Sequence, residues 1–501
     1  MDFILTALIF VLLGLLSYWL VRTNKSNDLP RYRGLPVIGN LHQLLTGNSH
    51  LMFTEWSKDI GGIFGVQLLF DNFVVLNTYE TIHEALVTKK HDFAGRPTTA
   101  YRIGMLSDGF QGVAFSNPNP TWTQLRRVCH RNLKLFDGRN LRNQQIVNEM
   151  TGEMMELFAA QKGAFDPRRI VYLTTMGIMI KLLIGKHCDD RHGEYKLLQA
   201  LVNYEEQVLS AMSPTGEGVE LDMFPWMRHF GNKTFKYLKY LCSLRDKLWD
   251  HMKEEYSTGG DQCKESLIGE LLKAKDESDQ LDDEKRKITD LNIKFVAIDM
   301  IMAGTSTTSN TLYSYFNIIS HHPCIQENMF NEIKSVVGIK RAISLSDRSS
   351  LPYCHATILE LLRFTTVNPF GLPRCAMKTT TIAGKNIPQG TQVLYNLWAL
   401  HHDEAFWDSP DEFKPERFLD SDGQVLPASH PNQQHLMTFG GGQRKCIGEM
   451  FALGRLFLII TSTTQNFAIS PGPKNTSCDP KKYKNGIILA SDDYEITLQR
   501  R

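Results

Sequence analysis

The sequence lacks an excess of charge of either sign, closely spaced cysteine pairs and a high content of glycine or proline. Its 55 basic and 54 acidic residues give a net charge of +1, which argues against a protein that holds nucleic acid by neutralising phosphates. The 9 cysteines are scattered without CxxC or CxxxxC spacing, so the sequence predicts neither a zinc ribbon nor a disulfide framework and indicates a reducing compartment. With 20 prolines and 36 glycines in 501 residues, collagen-like and low-complexity chains are excluded.

The composition that remains is that of a folded, enzyme-sized protein, with 42% hydrophobic and 22% charged residues. Helical patterns dominate from about 120 to 365, and strand-like segments lie at 64–70 and 73–76. This pattern predicts a mainly α-helical protein with small β-sheets (α+β). The charge run 275–287 predicts a solvated loop, followed by a helix that begins near Thr289 or Asp290. Since no internal repeat or long linker divides the chain, we expect one large domain.

The N-terminal segment 3–21 contains no charged residue. A helix of this length, at about 1.5 Å per residue, nearly matches a hydrocarbon core of about 30 Å, and this predicts a membrane anchor. A cleaved signal peptide is the alternative, but it would need a basic start and a small-x-small cleavage site, whereas the chain begins Met1-Asp2. Four basic residues follow the segment: Arg22, Lys25, Arg31 and Arg33. They predict that the rest of the chain lies on the cytosolic side.

A short segment with prolines and glycines follows the predicted anchor. Pro30 and Pro36 restrict the backbone, while Gly34 and Gly39 allow tight turns, so a stiff hinge is predicted. The predicted boundaries are 1–22 for the anchor, 23–40 for the hinge and 41–501 for the main domain.

A glycine-rich segment surrounds Cys446 near the C-terminus. Residues 439–448 read Phe-Gly-Gly-Gly-Gln-Arg-Lys-Cys-Ile-Gly and match Phe-x-x-Gly-x-Arg-x-Cys-x-Gly at every specified position. A thiolate can ligate iron only if its charge is stabilised, and glycine-rich backbone can direct N–H groups at the sulfur. A buried inert cysteine is one alternative, and a phosphate-binding loop, which would need Lys-Ser/Thr after its last glycine, is another. The segment resembles the haem-binding loop of the cytochromes P450.

The resemblance implies a cytochrome P450 fold in residues 41–501, with haem b (iron protoporphyrin IX) as the cofactor, Cys446 as the axial ligand of its iron and Arg444 as a partner of a propionate. Further residues resemble the propionate-binding positions of the family: Arg96, Trp122, Arg126 and Arg374. Trp122 and Arg126 are four residues apart and share a helix face. Any one of these cations alone would ordinarily be a surface charge, but the set fits two propionates.

Glu360 and Arg363 match the Glu-x-x-Arg pair of the family. Residues three apart share a helix face, and an exposed ion pair is the ordinary meaning of this spacing. The resemblance implies instead that Arg417 completes a buried triad with them, which supports the haem-side core. Thr366 stands where the family usually has proline, so a looser turn is expected after this helix.

The segment 291–320 is apolar on nearly every side, as expected of a helix buried in the centre of a protein. Its middle, 303–309, contains consecutive hydroxyl residues that can bend a helix, and a polar kink without chemistry is one interpretation. It also resembles the Ala/Gly-Gly-x-acid-Thr motif of the family, which implies that Thr307 relays protons and that Ala303 and Gly304 leave space beside the haem. Ser306 takes the place of the usual acid and cannot hold a charge at neutral pH, so a less efficient relay is expected.

The resemblance is closest to animal microsomal members, in the group of steroid 17-alpha-hydroxylase and the drug and aryl-hydrocarbon oxidisers. It implies a single-pass protein of the endoplasmic reticulum membrane, in contact with membrane lipid. The implied partners are NADPH-cytochrome reductase, which passes on electrons from NADPH, cytochrome b5 as a further donor, and a small apolar substrate. The predicted substrate contacts are Ala303, Val367 and Asn203.

The function implied is a monooxygenase that inserts one oxygen atom of O2 into a steroid, lipid or aromatic xenobiotic. Two alternatives stay open. A haem-thiolate isomerase or dehydratase would rearrange a peroxide without a reductase, although Thr307 argues against it. A haem-thiolate binding protein with little turnover would suit the unusual Ser306 and Thr366.

Overall fold

The computed structural model describes residues 14, 29–35, 38–44, 47–68, 71–134, 141–186, 195–212, 218–475, 477–484 and 486–501. The predicted anchor lies outside these ranges except for Gly14, and so does part of the predicted hinge. Within the described ranges, no helix is long and apolar enough to cross a bilayer.

Helices form most of the described chain, and the mainly helical fold class predicted from the sequence is confirmed. The α-helices are α1 (Leu41–Leu44), α2 (Ser49–Ile60), α3 (Tyr79–His83), α4 (Tyr101–Leu106), α5 (Pro120–Asn132), α6 (Leu141–Ala159), α7 (Arg168–Ile184), α8 (Tyr195–Met212), α9 (Val219–Met223), α10 (Lys233–Thr258), α11 (Asp261–Lys264), α12 (Leu267–Asp279), α13 (Asp290–His321), α14 (Pro323–Val336), α15 (Pro352–Thr365), α16 (Leu397–His401), α17 (Pro431–His435) and α18 (Glu449–Asn466). Shorter 3-10 segments are Pro225–Phe230, Glu284–Arg286, Leu345–Ser350, Pro415–Phe418 and Gly442–Arg444, and a π-helical segment is Glu84–Thr88.

The strands form one four-stranded sheet and three two-stranded sheets in the described residues. The strands are β1 (Ile63–Leu68), β2 (Asp71–Leu76), β3 (Arg374–Cys375), β4 (Thr380–Ile382), β5 (Lys385–Ile387), β6 (Gln392–Tyr395), β7 (Phe467–Pro471), β8 (Tyr483–Lys484), β9 (Ala490–Ser491) and β10 (Ile496–Arg500). The larger sheet has the order β1-β2-β6-β3, with β2 parallel to β6 and the other neighbours antiparallel. The two strands predicted at 64–70 and 73–76 are observed as β1 and β2, which pair antiparallel, and residues 69 and 70 lie outside the described ranges.

The long helix α13 begins where the sequence predicts. The Thr289 side chain accepts the N–H of Asn292 at 3.1 Å, and the Asn292 side chain accepts the N–H of Thr289 at 3.0 Å, which forms a capping box. Most side chains of α13 are buried in the largest apolar cluster of the described chain, where it packs against α7, α15 and α18. A helix that is apolar all round is stable only when it is enclosed in this way.

The prediction of a solvated loop at 275–287 is wrong for part of that segment. Residues 275–279 form the last turns of α12, and 284–286 form a 3-10 turn. Ala274 and Ser278 on this helix are buried, and the Ser278 hydroxyl accepts the N–H of Ile288 at 3.0 Å. The helix continues into the charge run because one of its faces packs on the core while the charged residues face solvent.

Candidate active site

The loop around Cys446 is a tight turn that requires glycine. The Cys446 N–H donates to the carbonyl oxygen of Phe439 at 2.9 Å, which folds the loop back on itself. Gly442 has a φ of 64°, and a Cβ atom at this position would lie 1.8 Å from the carbonyl oxygen of Leu86. A larger residue would therefore meet both backbone strain and a backbone clash.

Cys446 lies at the edge of a cavity of about 340 Å³, with its side chain exposed toward it. The protein around the cavity keeps bulk water away from Cys446, and this burial raises the pKa of its thiol. The backbone N–H of Gly448 lowers the pKa, the charge of Glu449 raises it, and the Arg126 and Arg455 guanidinium groups lower it. Without a bound cation, the dry environment keeps Cys446 as the neutral thiol. A metal ion on the sulfur would stabilise the thiolate, and the nearby positive groups would add to that stabilisation. The surroundings of Cys446 thus suit a metal ligand.

The same cavity extends from Cys446 to the middle of α13 and is mostly apolar. Ala303 and Thr307 line it from α13, and Val367 lines it from the segment after α15. Other apolar side chains come from α4, α8 and the C-terminal region: Ile103, Leu106, Val208, Leu209, Ile487 and Ile488. The cavity can hold an apolar molecule beside the Cys446 loop and the Thr307 hydroxyl.

Four arginines predicted to contact propionates lie close together. Arg96, Arg126 and Arg444 line the cavity, and the positive charges of Arg374 and Arg444 lower the pKa of Arg96, after the larger effect of burial. Burial, then Arg374 and Arg126, also lower the pKa of Arg444, to about 9. Trp122 lies beside them, with its ring 4.3 Å from the guanidinium carbon of Arg444.

Backbone carbonyl groups accept from several of these arginines, but within the described residues no carboxylate forms an ion pair with them. Arg96 donates to the carbonyl oxygens of Leu372 and Pro373 at 2.8 and 2.7 Å. The Nε atom of Arg374 is buried without a hydrogen-bond partner in the described residues. Buried cations that repel one another and leave a donor unsatisfied fit a dianionic ligand, as the two haem propionates would be.

The structure brings Glu360, Arg363 and Arg417 together. Arg363 donates from Nε to Oε2 and from Nη2 to Oε1 of Glu360, both at 2.7 Å, and both side chains are completely buried. Arg417 Nε also donates to Oε1 of Glu360, at 3.3 Å. The N–H of Lys414 also donates to Oε1, at 2.9 Å, so this carboxylate joins α15 to the segment before the Cys446 loop.

The turn at Thr366 is well anchored, in contrast with the looser turn expected from the missing proline. Thr366 caps α15 in the left-handed region, with a φ of 37°. Its hydroxyl donates to the carbonyl oxygen of Arg363 at 2.7 Å and lies 2.9 Å from Nδ1 of His401. Side-chain hydrogen bonds therefore hold the turn that a proline ring would restrict in relatives.

The hydroxyl groups in the middle of α13 donate to backbone carbonyls one turn back. Thr307 Oγ1 donates to the carbonyl oxygen of Ala303 at 2.8 Å, and Ser306 Oγ donates to that of Met302 at 2.9 Å. Both residues line the cavity, Ser306 with very little exposed surface. Gly304 lines the cavity, and on the side where a side chain would stand, an added Cβ atom would lie 2.6 Å from the Met179 side chain. Only that side of Gly304 is filled from α7.

Asn203 lies on the exposed side of α8, where its Oδ1 accepts from Gln199 at 2.8 Å. It is not among the described residues that line the cavity. Its position gives no support to the predicted contact with a substrate oxygen, and we do not include it in the site.

Two buried charged residues at this site were missed in the sequence. Arg455 of α18 donates to the carbonyl oxygen of Gly304 and to the Thr308 hydroxyl. Glu205 of α8 accepts the backbone N–H of Ser306 at 3.0 Å. The sequence contains a pattern that could have indicated that each side chain is buried. Arg455 is the single basic residue in an apolar helix, and Glu205 shares a helix face with Leu201 and Val208.

The sequence matches the family model described as Cytochrome P450 over residues 29–498. Steroid 17-alpha-hydroxylase/17,20 lyase of Oryzias latipes is 29% identical over an alignment of 510 positions, which covers 99% of this chain and 96% of the relative. The protein of the same name from Squalus acanthias is 30% identical, over 93% of this chain and 90% of the relative. Cytochrome P450 2U1 of Rattus norvegicus is 28% identical, over 96% and 92%.

Solved structures with the same fold include a zebra fish cytochrome P450 with progesterone, with a TM-score of 0.78 and 28% identity, which covers 90% of this chain and 99% of that one. A second zebra fish structure, with abiraterone, has a TM-score of 0.75 and 28% identity, and covers 91% and 99%.

Proposed function

We propose that this chain, which belongs to the cytochrome P450 family, oxidises apolar substrates of the steroid class. Family membership makes it a haem-thiolate monooxygenase that uses electrons from NADPH through a reductase. The proposal concerns the substrate class within that activity and the roles of individual residues. The observation that carries it is the apolar cavity between the Cys446 loop and Thr307. Relatives named as steroid hydroxylases and solved relatives with progesterone and abiraterone support it.

The haem would be held by residues on two sides of this cavity. Cys446 would ligate the iron, and Arg374 and Arg444 would hold the propionates together with Arg96, Arg126 and Trp122. When bound, the haem activates O2 with two electrons, so that one oxygen atom enters the substrate and the other leaves as water. The apolar lining would exclude bulk water and orient the substrate beside the haem.

The proton supply would come from α13. Since the Thr307 hydroxyl hydrogen is directed at the carbonyl oxygen of Ala303, the oxygen of Thr307 can accept a hydrogen bond from water in the cavity. Thr307 would hold that water and pass protons, while Ala303 and Val367 would contact the substrate.

The electron donors would be NADPH-cytochrome reductase and cytochrome b5, docking at a basic surface formed by Arg127, Arg131, Lys134 and Lys445. Arg131 already pairs with Glu270 at 2.9 Å, and Lys445 with Glu449 at 2.7 Å. Exposed pairs of this kind exchange readily for new partners, because they contribute little free energy. An acidic donor would be steered here by complementary charge.

The membrane attachment would combine the anchor 1–22, in the endoplasmic reticulum membrane, with exposed aromatic side chains of the main domain. Trp226 and Phe230 are 58% and 78% exposed and lie edge to face. Deleting residues 2–21 should weaken membrane retention in cell fractionation, and adding Trp226→Ser and Phe230→Ser should release the protein further. Full retention after all three changes would contradict this attachment.

The experiment that tests the substrate proposal measures product formation and NADPH consumption with a reductase across steroid, fatty-acid and aromatic compounds. Steroids should give coupled product, and Cys446→Ser should abolish it together with the thiolate-type absorption of the reduced carbon monoxide complex. Cys324→Ser, at an exposed cysteine outside the cavity, is the matched control. Rearrangement of a peroxide without reductase would favour an isomerase or dehydratase, and haem binding without product would favour a binding protein.

A further inference from the structure

A buried carboxyl group lies behind the position where the α13 motif lacks its usual acid. Glu205 is completely buried in α8, and its Oε1 accepts the backbone N–H of Ser306 at 3.0 Å. Its Oε2 has no hydrogen-bond partner among the described residues. A buried carboxyl oxygen without a partner costs free energy, so such a group needs a specific reason to be present.

The position of Glu205 relative to Thr307 provides that reason. Ser306 contacts Glu205 through its backbone N–H and, like Thr307, the next residue, lines the cavity. Glu205 does not line the cavity itself, and Ser306 is its contact that does.

We propose that Glu205 supplies the carboxyl group missing at Ser306 and feeds protons through the Ser306 hydroxyl toward water held by Thr307. The inference rests on the proposed monooxygenase site and deepens it. In the transfer, the Ser306 hydroxyl turns from the Met302 carbonyl oxygen toward the water at Thr307, passes its proton to that water and receives the Glu205 proton on Oγ. The carboxylate then regains a proton from solvent water, and the net flow is one proton from solvent to the cavity. Glu205 is thus a positioning and relay residue that does not touch the substrate.

The surroundings of Glu205 keep the carboxyl group protonated near neutral pH. Burial raises its pKa to about 8, while the nearby Tyr172 hydroxyl on α7 and Ser306 on α13 lower it, and the neighbouring charge of Glu206 raises it. A group that titrates close to the working pH can both give and regain a proton efficiently.

The first test compares Glu205→Gln with Glu206→Gln, a change of the same chemistry at the next residue, which is exposed. Glu205→Gln should lower the ratio of product to hydrogen peroxide by about tenfold or more, since positioned acid groups typically contribute about a hundredfold or more. The coupling ratio of the wild-type protein should fall as the pH rises through about 8, and Glu205→Gln should lose this dependence. Glu206→Gln should retain both, with the pH dependence shifted slightly to lower pH, because the charge of Glu206 raises the pKa of Glu205. An unchanged ratio and pH profile in Glu205→Gln would overturn the relay.

The second test does not depend on turnover or on the folding of a variant. Infrared difference spectroscopy of the wild-type protein should show a protonated carboxyl band that disappears as the pH rises through about 8. The band should persist in Glu206→Gln and be absent from Glu205→Gln wherever that variant folds. Absence of any such band from the wild-type protein would overturn the proposal. A wild-type protein that shows the band but oxidises no substrate would instead overturn the proposed function.

Discussion

Glu360 and Arg363 form a bidentate ion pair, with both N–O distances 2.7 Å and both side chains inaccessible to solvent. The same i,i+3 spacing occurs in the exposed pair of Glu55 and Lys58, at 2.9 Å. Spacing along a helix is therefore equal in the two pairs, and burial distinguishes them.

Replacing Glu360 with Gln should destabilise the protein strongly, because Arg363 would keep a buried charge without its partner. Breaking a buried pair in this way typically costs about 3 to 5 kcal/mol. Chemical unfolding should show this loss, whereas Glu55→Gln should change the free energy of unfolding very little. Equal effects of the two substitutions would contradict a structural role for the buried pair.

Replacing Arg374 with Met should separate haem retention from the stability of the apoprotein. The variant removes one of four mutually repelling cations, so the haem-free protein should be at least as stable as wild type. Loss of a charge-assisted hydrogen bond, worth about 1.5 to 3 kcal/mol, should speed haem transfer to a competing apoprotein by about tenfold or more. Arg127→Met, at an exposed arginine of α5, should affect neither measurement. Slower haem loss from the Arg374 variant would refute the propionate role.

Replacing Gly442 with Ala should prevent the Cys446 loop from closing. The new Cβ atom would lie 1.8 Å from the backbone oxygen of Leu86, in addition to the strain of a φ of 64°. Gly423→Ala is the matched control, because its φ is 72° and nothing lies within 4 Å of the added atom. The control should lose only the stability that the strained φ costs an alanine, about 1 to 2 kcal/mol, and should still take up haem. Normal haem content in the Gly442 variant would show that the loop can relax.

Replacing Thr307 with Ala should keep haem and substrate binding but divert electrons to hydrogen peroxide, because the water in the cavity would lose its acceptor. Thr307→Ser should be milder, since the hydroxyl remains. Thr305→Ala is the control, as that hydroxyl is directed at the Met176 sulfur and away from the cavity. The ratio of product to peroxide on one substrate measures the effect. A change of only about twofold in Thr307→Ala would assign the relay to another hydroxyl.

The stability of the protein should depend on pH in a way that reveals Glu205. Between about pH 4.5 and about pH 8, the folded protein holds a proton on this carboxyl group that the unfolded chain has lost. The contribution of Glu205 to stability therefore falls as the pH rises, by about 1.4 kcal/mol per pH unit, and levels off above about pH 8.

Urea unfolding across this window should show the free energy of Glu205→Gln rising relative to wild type as the pH increases. The buried histidines His50 and His401 have pKa values lowered to about 4 and about 3, and their opposing effect below about pH 6.5 cancels in the comparison. Glu206→Gln should parallel the wild-type protein, and a constant difference for Glu205→Gln would contradict the raised pKa.

The sequence alone determined the features that depend on neighbouring residues. The Cys446 loop is recognisable because its residues follow one another, and the start of α13 because a capping box spans only Thr289 to Asn292. The charge run 275–287 was interpreted wrongly because its buried face, with Ser278, becomes apparent only when the segment is packed.

Only the tertiary structure decided which distant residues share the site. Glu205 meets Ser306 across 101 positions, and Arg455 reaches Gly304 across 151. The four arginines proposed to bind the propionates likewise come from four separate segments of the chain. Helix periodicity fixes which face of a helix is apolar, but which two faces meet is decided by the packing of the whole core. The carboxyl group absent from the α13 motif could therefore be found only on a different helix, once the chain was folded.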